Sequence, residues 1–209
     1  MQRLAGEALD AATRHGVSYA DVRVAEQRER HVSTKNGEVG TLAASESLGV
    51  GIRVLKNGCW GFAATDDLTR EGFARAAALA AAIAEAGAAA HKHEVILAPE
   101  PAHEATWVSP CRIDPFSVSV ERNLELLLSI DAELRRNPAI TLAEASLVFA
   151  RERQVFASSS GSRIDQTRTT SGAGFAAYCY RDNEIQKRSY PNSFGGQHQL
   201  KGYEIIEEL

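Results

Sequence analysis

YADVRVAEQRERHVSTKNGEVGTLAASESLGVGIRVLKNGCWGFAAT, residues 19–65, decides the fold, because two Asn-Gly pairs punctuate runs of strand-forming residues. Asn36-Gly37 and Asn57-Gly58 both suit the type I′ turn, whose two central residues need positive φ and whose twist matches that of the flanking strands. Tyr19 to Lys35 therefore reads as one long strand, and Glu38 to Ser47 as its returning partner. A second hairpin is expected at once. In it Leu48 to Leu55, where Val50, Ile52 and Val54 alternate with Gly49, Gly51 and Arg53, is followed by Cys59 to Thr65. The stretch is an antiparallel meander.

Helices are expected on either side of it. Leu4, Ala5, Ala8, Leu9 and Ala12 share one helical face, and Gly16 stands where a left-handed residue would end that helix. After the meander, the Thr69 hydroxyl is placed to cap a second helix, with Leu68 and Phe73 as its hydrophobic staple. Phe73, Ala76, Ala77, Ala80, Ile83 and Ala84 then form the stripe expected to be buried.

Beyond Gly87 the composition changes. Four of the six prolines, Pro99, Pro101, Pro110 and Pro115, crowd a short connector, and proline blocks both helix interiors and central strands. Past it, Ser119 is placed to cap a third helix with Leu124, Leu127, Leu128 and Leu134 toward a core, stopped by Asn137-Pro138. Alternation through Leu142 to Phe149 and Ile164 to Tyr180, with a turn at Ser158 to Gly161 and a polar turn at Arg181 to Asn183, gives a second meander. The expectation is an α+β fold of two successive domains, each a helix-plus-antiparallel-meander layer: residues 1–90, a connector over 91–118, and 119–209. The end, Ile205 to Leu209, resembles the first turn of an amphipathic helix whose continuation is missing.

Composition narrows the function. The 44% hydrophobic and 24% charged residues are those of a folded, soluble protein, and a formal charge of -4 disfavours nucleic acid as a partner. Arg28-Glu29-Arg30 and Arg151-Glu152-Arg153 alternate in sign and read as solvated faces. Cys59, Cys111 and Cys179 lack paired spacing, which suits a reducing, cytoplasmic setting, and neither a signal peptide nor a membrane span is signalled.

The motifs tested do not make an active site. His93-Glu94 and His103-Glu104 each lack the second histidine one helical turn on, and His91 with His93 lacks a third ligand. Ser158, Ser159 and Ser160 are not set in a nucleophile elbow and read as a turn. Gly49-Val50-Gly51 runs on as strand where a phosphate-cradling helix would have to begin. Its glycines read chiefly as close packing against the second helix, with peptide contact as the other reading.

Taken in order, Tyr19-Ala20-Asp21-Val22-Arg23, Asn36-Gly37, Gly49 to Val54 and Asn57-Gly58-Cys59-Trp60-Gly61-Phe62-Ala63 resemble the opening domain of the TldD/PmbA family. Asp114-Pro115, the helix from Ser119, Phe156 to Gln166 and Ser193-Phe194-Gly195-Gly196 are similar to that family's second domain, so the likeness covers nearly the whole chain. The resemblance implies a cytoplasmic zinc metalloprotease subunit, TldD-like. Its third domain bears an HExxxH motif, and it pairs with itself or with a PmbA/TldE-type subunit and cleaves peptides or unfolded proteins.

No position here matches that motif, so no catalytic or metal-ligating residue is assigned. Zinc is a cofactor only of the intact protein, and this chain is expected to be inactive alone. Gly49, Gly51, Gly195, Gly196 and His198 are the candidate substrate-binding residues, the hairpin edges offering backbone groups to an extended peptide. The competing expectation is a non-catalytic, PmbA/TldE-like module that binds a peptide or partner.

Overall fold

The computed structural model describes residues 1–90, 93–192 and 196–208. Along the chain run α1 (Gln2–Thr13), β1 (Tyr19–Lys35), β2 (Glu38–Lys56), β3 (Cys59–Thr65), α2 (Arg70–Ala88), β4 (Glu104–Val108), α3 (Val120–Leu134), β5 (Leu142–Ser158), β6 (Arg163–Arg181), β7 (Glu184–Tyr190), β8 (Gln197–Gln199) and α4 (Glu204–Glu208). The strand order is β3-β2-β1-β5-β6-β4, with β7 and β8 also paired to β6. The fold is mixed α and β, as the turn chemistry predicts. Asn36 and Gly37 have φ of 51° and 84°, and Asn57 and Gly58 have 51° and 72°. Asp182 and Asn183, at 50° and 64°, make the third such turn.

Two differences concern the strands. Glu38 to Leu55 is one continuous strand where a break was expected before Leu48, because the small residues Ser47, Gly49 and Gly51 interrupt the pattern without interrupting the ladder. The proline-rich connector holds β4, which pairs in parallel with β6 from Glu104–Arg163 to Val108–Thr167. No proline falls within those five residues, so their N–H groups stay available.

The chain forms two compact units that share long strands. The first comprises Met1–Gln27, Ser47–Val108 and Glu152–Thr167, and the second Arg28–Glu46, Ser109–Arg151 and Arg168–Leu209. Each is a helix-plus-meander layer, but each draws on three stretches where the segments 1–90 and 119–209 had been expected. β1, β2, β5 and β6 are 17 to 19 residues long, far beyond an ordinary strand, and divide between the units.

In the first unit α1 and α2 bury Ala5, Ala8, Leu9, Ala12, Phe73, Ala76, Ala77, Ala80 and Ala84 against Val22, Val24, Val50, Ile52 and Val54. Thr69 caps α2, its hydroxyl accepting from the Gly72 N–H at 3.1 Å, and Leu68 packs on the same core. Ile83 departs from expectation: it is 43% exposed, and Ala81 is buried in the stripe instead. The glycine that admits α2 is Gly61, where a Cβ would lie 1.9 Å from the Ala80 carbonyl oxygen. A Cβ at Gly51 would meet only the Phe62 ring, and at Gly49 only the Thr65 carbonyl oxygen at 3.6 Å, so the packing role expected of those two belongs to Gly61.

In the second unit Val32, Leu127, Ala145, Leu147, Phe149 and Tyr203 form the core. Ser119 caps α3, accepting from the Arg122 N–H at 3.2 Å. Of the leucines expected inward, Leu127 alone is fully buried; Asn123 and Asp131, one turn to either side, share its face. The Asp131 carboxylate accepts from the Gly37 N–H at the turn between β1 and β2. Glu204, at the start of α4, accepts from the N–H groups of Arg112 (3.1 Å), Ile113 (3.0 Å) and Gly202 (3.0 Å). Burial works to raise its pKa, but these N–H groups outweigh burial and bring it down to about 2.

The arginine runs expected to be solvated are in part engaged. Arg28, Arg30 and Arg151 lie 4.6, 5.5 and 5.3 Å from the centre of the Phe116 ring, and Arg151 donates to both oxygens of Asp114. Alternation on two strands distant in sequence gave no sign that these cations meet one ring.

Candidate functional site

One concavity of the first unit is a cleft of about 560 Å³. Tyr19 at the start of β1, Arg53 on β2, Trp60 on β3 and Phe156 on β5 line it, and connector residues 97–101 and the serine turn complete its walls. Strand alternation aims these side chains away from the apolar core: Ala20, Val22, Ile52 and Val54 point inward, so Tyr19, Asp21, Arg23 and Arg53 share the other face.

Asp21 organises that face. Its side chain is fully buried, and a buried carboxylate needs cationic or hydrogen-bonding partners. Arg53 supplies Nε and Nη2, both donating to Oδ2 at 2.8 and 2.6 Å, and Arg23 donates through Nη1 to Oδ1 at 2.5 Å. Each guanidinium then covers an aromatic ring, Arg53 over Trp60 at 4.4 Å and Arg23 over Phe156 at 5.0 Å. Tyr19 meets Trp60 edge to face at 5.9 Å. Burial and the neighbouring Asp21 carboxylate push the Tyr19 phenol above its ordinary pKa, so at neutral pH it is an uncharged donor.

The serine turn closes the cleft. Ser159 Oγ accepts from the Ala20 N–H at 3.0 Å, Ser158 Oγ from the Ser162 N–H at 3.3 Å, and Ser162 Oγ from the His103 N–H at 3.1 Å. These hydroxyls hold backbone in place, in keeping with a turn. The His103 ring reaches Glu100 at 2.8 Å from an irregular connector, and His91 lies outside the described residues. Among the described residues no three His, Cys, Asp or Glu side chains come close enough to hold a metal ion.

A second feature lies wholly in the second unit. β3 pairs with β2 over Val50 to Lys56, and among the described residues Glu38 to Glu46 have β1 as their one neighbouring strand. Eight of those nine residues are exposed, among them Val39 and Leu42, and Thr41 is half-buried. The two-residue turn sets Lys35 opposite Glu38, so Val39, Thr41, Ala43 and Ser45 turn their N–H and C=O groups away from β1.

The residues singled out for substrate binding scatter over both units. Gly49 and Gly51 are on β2 in the first, while Gly196 and His198 belong to the second. His198 pairs with Gly172 across β8 and β6 and fills the space above it, since a Cβ on Gly172 would lie 2.4 Å from the imidazole Nδ1. Gly195 lies outside the described residues. Tyr19, Arg53, Trp60 and Phe156 were not foreseen as a site. A carboxylate alternating with an arginine at Asp21-Val22-Arg23 is the one sequence signal that could have pointed to them.

Comparison with known proteins gives the chain its relatives. Residues 20–90 match the profile described as PmbA/TldA metallopeptidase domain 1, and residues 113–208 match the PmbA/TldA metallopeptidase central domain. A protein named metalloprotease from Methanothermobacter thermautotrophicus is 41% identical over 56 residues, which is 27% of this chain and 12% of that protein. Among solved structures, a protein from Bacteroides thetaiotaomicron described as a candidate modulator of DNA gyrase superposes with a TM-score of 0.78 at 14% identity, over 96% of this chain and 45% of that one. TldE from Thermococcus kodakarensis superposes with a TM-score of 0.70 at 12% identity, over 94% of this chain and 43% of that one. The chain thus spans less than half the length of these solved chains, and at such identities the likeness is one of fold.

Proposed function

Because the chain belongs to the PmbA/TldD metallopeptidase family, we propose that it is the substrate-receiving and assembly portion of a TldD-like peptidase acting on peptides or unfolded proteins. The hydrolytic zinc site lies in a part of the protein outside these 209 residues, and no chemical step is assigned to the residues described. Guiding a chain is their task.

The observation that carries this reading is the free edge from Glu38 to Glu46. An extended peptide adding there as a strand draws its affinity from main-chain hydrogen bonds, which makes few demands on sequence and suits unfolded substrates. The edge is uncharged from Val39 to Ser45, so a peptide laid along it meets no buried charge. A homodimer, or a heterodimer with a PmbA/TldE-type subunit, is the proposed assembly. The acidic balance does not support DNA as a direct ligand. A cytoplasmic location is supported by three cysteines that are all free, and no helix among the described residues is long and apolar enough to cross a membrane.

Ala43→Pro tests the reading. It removes one outward N–H while keeping the hairpin bonds to β1, and proline is tolerated on edge strands. Binding of a fluorescent unstructured peptide, followed by anisotropy, is expected to weaken about tenfold with the melting temperature little changed. Unaltered binding in a folded Ala43→Pro protein would remove the edge from the mechanism.

A further inference from the structure

We infer that the cleft bounded by Tyr19, Arg53, Trp60 and Phe156 is a recognition site for a carboxylate carried on an apolar unit. The inference rests on the peptide-receiving reading and names which part of a peptide this unit would hold.

Charge and shape together select the ligand. Asp21 is one anion between two guanidiniums, so that cluster keeps an excess of one positive charge at a wall of the cleft, while Glu100, the carboxylate of the lining, is largely solvated and engaged by His103. Asp21 occupies Nε and Nη2 of Arg53, which leaves Nη1 for an incoming acceptor, and the side chain of Arg53 is 39% exposed. Stacking on Trp60 and the fork onto Asp21 fix the guanidinium plane, so little rotamer entropy is lost when a ligand arrives.

A single uncompensated charge matches a monoanion better than a phosphate dianion. The rest of the lining, from Trp60, Phe156, Leu97, Pro99 and Ile164, favours an apolar body beside that anion. The Tyr19 phenol, hydrogen-bonded to Asp21, adds an apolar ring edge and no further charge. The volume of about 560 Å³ lies in the ordinary range for a small-ligand site, enough for a few residues and not for a folded partner.

A peptide's terminal carboxylate and an internal Glu or Asp side chain both offer this chemistry, and the test separates them. The probes are three labelled Ala/Leu hexapeptides titrated into the whole chain: one with a free carboxyl terminus, its amidated twin, and an amidated version with Glu as the penultimate residue. The free acid is expected to bind at least tenfold more tightly than the plain amide. If the Glu peptide recovers that difference, the ligand is a side-chain carboxylate; if it does not, the ligand is the terminus.

Arg53→Leu should erase the preference. Since removing that partner of a buried carboxylate can unfold the unit, Ser160→Asp serves as a second variant. It sets an anion at an exposed position of the lining and should weaken only the carboxylate peptides, by about fivefold or more. Equal binding of acid and amides to the wild type would overturn this site and leave the peptide-receiving reading standing. Failure of every peptide to bind would overturn both.

Discussion

The two units cover their sheets with helices by opposite means. In the first, α2 lies on the sheet through alanine methyls and Phe73, and comes so close at Gly61 that no side chain fits beneath it. In the second, the covering layer is fastened by carboxylates: Asp131 to the Gly37 N–H, Glu204 to three N–H groups of the chain around it, Asp114 to Arg151 and the Phe116 N–H. Shape complementarity is insensitive to pH and intolerant of volume, whereas charge-assisted bonds tolerate volume and depend on ionisation.

Three substitutions and one control probe this contrast. Gly61→Ala should have the largest effect, because its Cβ would strike the Ala80 and Ala84 backbone, which cannot swing aside as a side chain does. A loss of ~3 kcal/mol is expected in urea unfolding. Gly51→Ala is the control, since the ring it meets belongs to the exposed Phe62, and it should cost under ~1 kcal/mol. Comparable losses at the two positions would sink the claim that α2 sets the limit.

Glu204→Gln should come next, at ~2 kcal/mol near pH 7, by removing the charge that three N–H groups share. Its carboxyl lies at about 2 in the folded chain against an ordinary 4.5, so the unfolded state binds the proton more tightly. The stabilisation is therefore complete above about pH 4.5 and is lost as pH falls toward 2. Unfolding free energies measured across that window should fall less steeply for the variant than for the wild type, and parallel curves would refute the assignment.

Of the three probes Asp131→Asn should be the mildest, at ~1 kcal/mol, because the amide oxygen can still accept from Gly37. Its signature is faster amide hydrogen exchange at Gly37, and unchanged protection there would show that the bond contributes little.

Local chemistry was legible in the sequence, and its long-range partners were not. Asn36-Gly37 and Asn57-Gly58 state their turns outright, and Thr69 and Ser119 announce the helices they cap, since each signal acts within four residues. Asp131 looks like a surface residue because nothing near it in sequence says that a turn 94 positions away presents an N–H to its carboxylate. Ile83 was expected to be buried, and it is exposed while Ala81 is buried, because the face of α2 that comes closest to the sheet is the one Ala80 and Ala84 set against Gly61. The candidate cleft was hidden for the same reason: Tyr19, Arg53, Trp60 and Phe156 come from four strands and meet only through the ladder.

Asn36 does more than turn the chain. Its N–H donates to the Ala143 carbonyl at 3.0 Å, and its side-chain oxygen accepts from the Ala143 N–H at 2.9 Å, so a loop residue is clasped to β5 as a strand residue would be. A slip of one position would send every side chain of a strand to the wrong face, and this pair of bonds forbids it from the tip of the hairpin. Part of the work of keeping the frame thus falls to one amide at the hairpin tip and not to the letters strung along the strands.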